Sequence, residues 1–282
     1  MKVAIDLQGC QLLNNRNRGI GRYSLSFIKA LINEYKKDHF VLVANANLPD
    51  IESEFDQELS DKNLQVDFIR WYYPNNNYVT NFDEASIKLL GSYLYSFTFS
   101  NISADIILVT SFFEGFEDDS ITQFDGTFDL PCIATIFYDL IPYLHPELYL
   151  DNNLDYKNFY LRKINELKDL DLFLTISESA AYELKNNLNI KEDRIFNISS
   201  GCNNTIFSCL DNPQKNFFPE YGEFILYAGA ADPRKNLKRL IKAYSLLDKR
   251  FRDKFKLILV GKFSSTEIDL LKNYISFIGL PF

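Results

Sequence analysis

Short apolar runs alternate with segments of helical period along nearly the whole 282-residue chain, and that alternation leaves few folds open. Val3-Ala4-Ile5, Phe40-Val41-Leu42-Val43, Ile106-Ile107-Leu108-Val109 and Leu172-Phe173-Leu174 are too short for helices and almost unbroken in hydrophobicity. Strands of that kind are buried on both faces, as in parallel sheets covered by helices. Strands are expected at Lys2–Asp6, His39–Ala44, Leu64–Trp71, Asp105–Val109, Cys132–Phe137, Asp171–Ile176 and Arg194–Ile198. Between them, Leu25, Ile28, Leu31 and Ile32 repeat at helical spacing, so a helix begins near Gly19–Gly21. Phe82–Phe99 and Tyr149–Lys168 read as further helices, and Ser177 caps the start of another. The fold class is α/β, with a doubly wound sheet.

The stretch from Cys202 to Gly222 is rich in Asn, Pro and Ser and carries no regular period, which places a linker there. The chain therefore divides into a domain over 1–210 and a second α/β unit over 211–282. The second unit is expected to hold a strand at Phe224–Ala228, a helix from Arg234 to about Leu247 and a strand at Phe255–Gly261. A helix near Thr266–Tyr274 and a short strand at Ile275–Ile278 complete it. About 70 residues make an incomplete Rossmann-like half, since small domains bury proportionally less surface.

A formal charge of −8 argues against nucleic acid or an anionic membrane as the main partner. There is neither a signal-peptide pattern nor an apolar run long enough to span a bilayer, so the chain is read as cytoplasmic. Its 17 Tyr and 25 Phe leave peripheral contact with the inner membrane face open. Cys10, Cys132, Cys202 and Cys209 form no CxxC pair and are expected as reduced thiols. His39 and His145, far apart, argue against a His-based metal site, and neither metal nor cofactor is called for.

Several loops stand where chemistry could occur. The first strand runs through a polar loop into Gly19-Ile20-Gly21-Arg22, an arrangement that lets backbone approach a phosphate. It lacks the third glycine of a dinucleotide fingerprint and an acidic ribose ligand at the right spacing, which argues against a nucleotide-dependent oxidoreductase. Two glycines in a tight turn with an exposed Arg22 would explain the same residues. Asp139, at the end of a strand, either hydrogen-bonds a substrate hydroxyl or caps the next turn. The acidic loop Glu114–Asp119 either solubilises the surface or faces an acceptor. In residues 227–240, a strand leads through Gly229 and Asp232-Pro233 to a helix with Arg234, Lys235 and Asn236 in its first turn. Cations there oppose the helix dipole, which a docked diphosphate would explain. A helix started by Pro233 with a solvated basic face is the alternative.

Taken together, RGIGRYS (Arg18–Ser24), YDLIP (Tyr138–Pro142), TISESA (Thr175–Ala180), SSGCNNTIF (Ser199–Phe207) and AGAADPRKNLKRLIKAY (Ala228–Tyr244) resemble the retaining glycosyltransferases of family 4. Their order and spacing fit along the whole chain. The resemblance implies the GT-B architecture of two Rossmann-like domains, and a role in bacterial O-antigen or other surface polysaccharide assembly, often as a mannosyltransferase. It implies a nucleotide-diphosphate sugar in the cleft between domains, with GDP-mannose the best single guess, and a glycan or lipid-linked glycan acceptor on the N-terminal side.

By the same likeness, Lys235 and Arg234 hold the donor diphosphate, while Gly19 and Gly21, with Arg22, approach it from the other domain. Asp139 and Tyr138 take the catalytic, substrate-side position, Tyr138 standing where many members have His. Asn203 replaces a common Asp. Retention by front-face attack, with the departing phosphate helping to deprotonate the acceptor, needs no protein nucleophile. Without metal, Lys, Arg and amide donors must meet the leaving-group charge. The family's paired glutamates lie beyond Phe282, so weak donor binding and slow turnover are expected of these 282 residues. The alternative is a catalytically incomplete fragment or a non-catalytic partner subunit of a glycosyltransferase.

Overall fold

The short apolar runs of the N-terminal part all become strands of one parallel sheet. The structure, a computed structural model, describes residues 1–12, 16, 19–74, 83–201, 222–230, 232 and 235–280. It divides into two compact units, Met1–Asn203 and Asn204–Phe282. The domain boundary expected at 210/211 falls within 202–221, outside the described residues, as do Cys202, Asn203 and Cys209.

In chain order the first unit comprises β1 (Lys2–Asp6), α1 (Gly19–Glu34), β2 (His39–Asn45), β3 (Gln65–Trp71), α2 (Glu84–Ser100), β4 (Ile106–Val109) and β5 (Cys132–Phe137). It continues with α3 (Leu154–Leu167), β6 (Leu172–Thr175), α4 (Glu178–Leu188) and β7 (Ile195–Asn197), with short helical turns between. The strands run in the order β3-β2-β1-β4-β5-β6-β7, all parallel. That order reverses direction between β1 and β4, which opens a crevice outside the carboxyl ends of those strands.

Alternate residues of each strand face opposite sides of the sheet. Ala4, Val41, Ile107 and Phe137 join one core with Tyr95, Phe99, Ile164 and Leu184 of α2, α3 and α4. Val3, Ile5, Leu42 and Ile136 join the other with Ile28 and Ile32 of α1. Much of the chain's aromatic content serves the first of these cores. Tyr73, Tyr95 and Phe99 are buried, and Tyr95 lies 4.9 Å from Phe99 and 4.8 Å from Phe124, ring centre to ring centre.

Local signals explain the helix starts. Asp83, Asn153 and Ser177 accept hydrogen bonds from the backbone N–H of Ser86, Tyr156 and Ala180, capping α2, α3 and α4. The helix expected from Tyr149 begins instead at Leu154, because Asn153 adopts an extended backbone and caps there, leaving Pro146–Tyr149 as a separate turn.

The second unit pairs β8 (Glu223–Ala228) in parallel with β9 (Phe255–Val260), carrying α5 (Leu237–Ser245), α6 (Lys249–Lys254) and α7 (Ser265–Phe277). Two expectations are corrected here. Residues 275–278 are not a strand. Ile275 continues the spacing of Ile268 and Leu271, and all three line one apolar groove against Leu257 and Leu259, so the helix runs on to Phe277. The helix expected from Arg234 begins later. Asn236 takes a left-handed conformation (φ 53°), incompatible with a helix interior, and α5 starts only at Leu237.

Candidate active site

At the crevice between β1 and β4, sequence motifs far apart in the chain converge. Gly19, Gly21 and Arg22 form the first turn of α1, with Gly21 buried and Gly19 and Arg22 exposed. One turn later, Ser24 Oγ lies 2.7 Å from the Tyr138 hydroxyl. The Tyr138 hydroxyl also donates to the Thr110 carbonyl at 3.2 Å, and the Tyr138 ring meets Tyr23 edge-on at 5.9 Å. Burial raises the Tyr138 pKa above that of a free tyrosine, opposed by the Ser24 hydrogen bond, so the phenol stays protonated. Tyr23 donates its own hydroxyl to the Ser199 carbonyl at 3.0 Å. Ser199 stands at φ 57°, a left-handed conformation rare for residues other than glycine. Arg18–Ser24, Tyr138–Pro142 and the start of Ser199–Phe207 are thus tied together by three hydroxyls.

Asp139 accepts the backbone N–H of Ile141 at 3.0 Å, which is the turn-capping role. Glu183 of α4 accepts from the neighbouring Leu140 N–H at 2.7 Å, so the Tyr138–Pro142 turn is held from two sides. Thr175–Ala180 supplies the end of β6 and the cap of α4. Sheet topology therefore gathers four of the five motifs at one edge.

The same edge holds buried polar groups that strand and helix periodicity does not single out. Asp6, at the end of β1, is fully buried. Gln8 Nε2 donates to its Oδ1 at 2.9 Å, while Oδ2 has no hydrogen-bond partner among the described residues. Burial, with Glu114's charge adding to it, pushes the Asp6 carboxyl up to about 8 against the pull of the Gln8 hydrogen bonds. Cys10 beside it is a buried thiol, pushed up to about 12 by burial and by Asp6. Gln8 also exchanges hydrogen bonds with the backbone of Ile121 at 2.6 and 2.8 Å, and Asn45 donates to Gln8 and to the Asp119 carbonyl. The acidic loop is therefore anchored from beneath. The clue in the sequence was an acid ending a buried apolar strand, Val3-Ala4-Ile5-Asp6, with a second polar residue, Gln8, two positions on.

Asp6 also sets a pH dependence. Between the ordinary carboxylate pKa and about 8 the folded chain holds a proton that the unfolded chain has released. This contribution to stability is complete below the ordinary carboxylate range and is lost as pH rises toward about 8. Asp6→Asn, nearly the same size and always neutral, is expected to flatten the fall in unfolding free energy between pH 5 and 8 seen by chemical denaturation. Identical slopes for the two proteins would show that Asp6 is ionised in the folded state.

In the second unit, Lys235 is exposed and sits in a tight turn whose backbone N–H bonds the Asp232 carbonyl at 2.9 Å. Arg234, its expected companion, lies outside the described residues. Gly229 ends β8 and pairs with Val260 at 2.8 Å. A Cβ on Gly261 would stand 1.8 Å from the Gly229 carbonyl oxygen, so only glycine fits at this strand end. Among the described residues, no cluster of His, Cys, Asp and Glu is arranged to hold a metal ion, and no helix is long and apolar enough to cross a membrane.

Residues 210–281, which include the Lys235 turn, match the family model of the glycosyl transferases group 1. That stretch is similar to a group 1 glycosyl transferase domain. It is 28% identical over 294 residues to the serotype-specific mannosyltransferase WbdA of Escherichia coli, a match covering 99% of this chain and 34% of that protein. The chain thus spans about a third of the length of that relative. The structure of Anabaena HepE in complex with UDP and glucose superposes with a TM-score of 0.58 at 14% identity, covering 99% of this chain and 67% of that one. A glycosyltransferase from Rickettsia africae gives 0.53 at 15% identity, covering 99% and 65%. The fold class is α/β of the GT-B type.

Proposed function

We propose that the chain transfers a hexose, mannose being the best candidate, from a nucleotide-diphosphate sugar to a growing surface glycan with retention of configuration. The observation that carries this reading is the convergence of Ser24, Tyr138, Asp139 and Ser199 at the β1–β4 crevice, in a chain similar throughout its length to WbdA. Residues 1–210 take the acceptor side and 211–282 the donor side. Lys235, with Arg234, neutralises the donor diphosphate, and Gly19, Gly21 and Arg22 present backbone N–H groups and charge at the start of α1. Fixed cations and amides of this kind stabilise charge that develops on a leaving group. Asp139, held by the Ile141 amide, orients a sugar hydroxyl, and Tyr138 shapes the crevice behind it. The departing phosphate takes the acceptor proton, so the protein needs no nucleophile, metal or cofactor of its own. A lipid-linked acceptor would place the reaction at the inner face of the cytoplasmic membrane.

Nucleotide sugars that bind only the folded state raise its stability, by about 2.7 kcal/mol at a hundredfold excess over the dissociation constant. Thermal unfolding with a panel of GDP-, UDP- and ADP-sugars is expected to single out GDP-mannose. If no nucleotide sugar shifts the transition even at millimolar concentration, the donor assignment is wrong.

A further inference from the structure

At the carboxyl edge of the first unit, a cavity of about 850 Å3 opens between the start of α2, the loop 114–123 and α3. That volume lies within the range of small-ligand sites, about 300–1,000 Å3. Its loop wall is fixed: Gln8 and Asn45 hold the backbone of Ile121 and Asp119, and Thr122 donates to the Phe112 carbonyl at 2.6 Å. Aromatic rings form part of its wall. Phe116 lines it and meets Tyr156 edge-on at 5.0 Å. Tyr156 in turn stacks near Phe159, which also lines the cavity, at 6.4 Å between ring centres.

The ionised lining is balanced among the described residues. Lys88, Arg162 and Lys163 stand against Glu84, Glu114 and Asp155. The cations are also engaged. Lys88 donates to the Asp118 carbonyl at 2.7 Å, and buried Lys163 donates to Thr122 at 2.8 Å and pairs with Glu166 at 3.2 Å. Arg162 lies over the Phe159 ring at 5.6 Å and pairs with Glu166 at 3.5 Å. An anion entering here meets no surplus of positive charge. A neutral polyol finds an apolar ring, Phe116, beside the exposed polar side chains of Gln123, Asp155, Asn158 and Arg162. Ser120, which also lines the cavity, is 2% exposed and its hydroxyl has no hydrogen-bond partner among the described residues. Buried hydroxyls are rarely left so, because a hydroxyl taken out of water without a partner forfeits its hydrogen bond.

We infer that this cavity is a saccharide subsite, holding a neutral hexose of the acceptor glycan one or more sugars away from the point of transfer. Phe116 supplies the apolar face, Asn158 and Gln123 supply hydrogen bonds to ring hydroxyls, and Ser120 supplies the innermost contact. This assignment rests on the transferase reading above.

The test titrates the full chain with manno-oligosaccharides of increasing length, by calorimetry and by ligand-observed NMR. Asn158→Ala and Gln123→Ala remove exposed side chains, and equal unfolding temperatures would verify that both variants fold. Each is expected to bind the oligosaccharides about tenfold more weakly, the effect of one lost hydrogen bond. Affinity should rise with glycan length in the wild-type chain and much less in the double variant. Absence of saccharide binding at millimolar concentration, or binding that both variants retain in full, would overturn the inference. Inorganic phosphate competing for the same residues would overturn it too, by showing an anion site. The nucleotide-sugar panel run on the same samples separates the two claims. Donor stabilisation without saccharide binding defeats the subsite alone, whereas saccharide binding without donor stabilisation defeats the transferase reading.

Discussion

Lys235→Ala is expected to lower kcat/KM for sugar transfer by about 10²–10³-fold, the usual effect of removing one group that stabilises transition-state charge. The local structure makes this a clean experiment. Lys235 is exposed, and its turn is held by its own backbone N–H on the Asp232 carbonyl, so deleting the side chain removes charge rather than packing. The first turn of α5 contains no acidic residue that could neutralise the helix start internally. Asn236, at φ 53°, redirects the backbone between Lys235 and the helix, leaving the ammonium on a turn rather than on a helix face. The dissociation constant for the nucleoside diphosphate should rise in parallel, while the unfolding temperature stays within a degree or so of wild type. Lys235→Arg should recover part of the loss, since it restores charge with a different shape. Unchanged donor affinity and unchanged transfer in the alanine variant would move the diphosphate site elsewhere.

Phe99→Ala is expected to destabilise the first unit by about 3–5 kcal/mol, the range for truncating a buried phenylalanine. Phe99 is fully buried near the end of α2, with ring centres of Tyr95 and Phe124 at 4.9 and 5.8 Å. Its loss removes apolar burial and edge-to-face ring contacts at once, and the rigid sheet behind it limits collapse of the space left. Differential scanning calorimetry should show the unfolding temperature falling by about 6–20 °C. Phe99→Leu, which keeps most of the volume, should cost under half as much. A loss below about 1 kcal/mol on alanine substitution would mean that the aromatic cluster is loosely packed, contrary to the geometry.

The particular residues show why some features were readable in advance. Ile28 and Ile32 recur at helical spacing and both are buried, because a helix on a sheet must turn one stripe inward. Ser177 capped α4 as its type predicts, since the N-cap hydrogen bond to Ala180 is a local event. Asp139 left two roles open, and the hydrogen bond to Ile141 shows the capping one; the sugar-orienting role is a proposal for the same carboxylate. Lys163 was missed although Phe159, Tyr160, Ile164 and Leu167 flank it on one helical stripe, a position that forces a lysine inward. Its burial lowers its pKa, with Glu166 pulling the other way.

By itself the sequence determined the α/β class and the succession of strands along the chain in the first unit. Those features follow from hydrophobic period and turn chemistry within a few residues of each position. Tertiary structure alone decided the rest. The Ser24–Tyr138 contact joins residues 114 apart, and the Gln8–Ile121 contact joins residues 113 apart. The neutral Asp6, the anchored acidic loop and the cavity beside Phe116 all depend on such pairs. A proton's affinity and a cavity's lining are set by whatever the fold brings within a few ångströms, and no local pattern in the chain records which groups those will be.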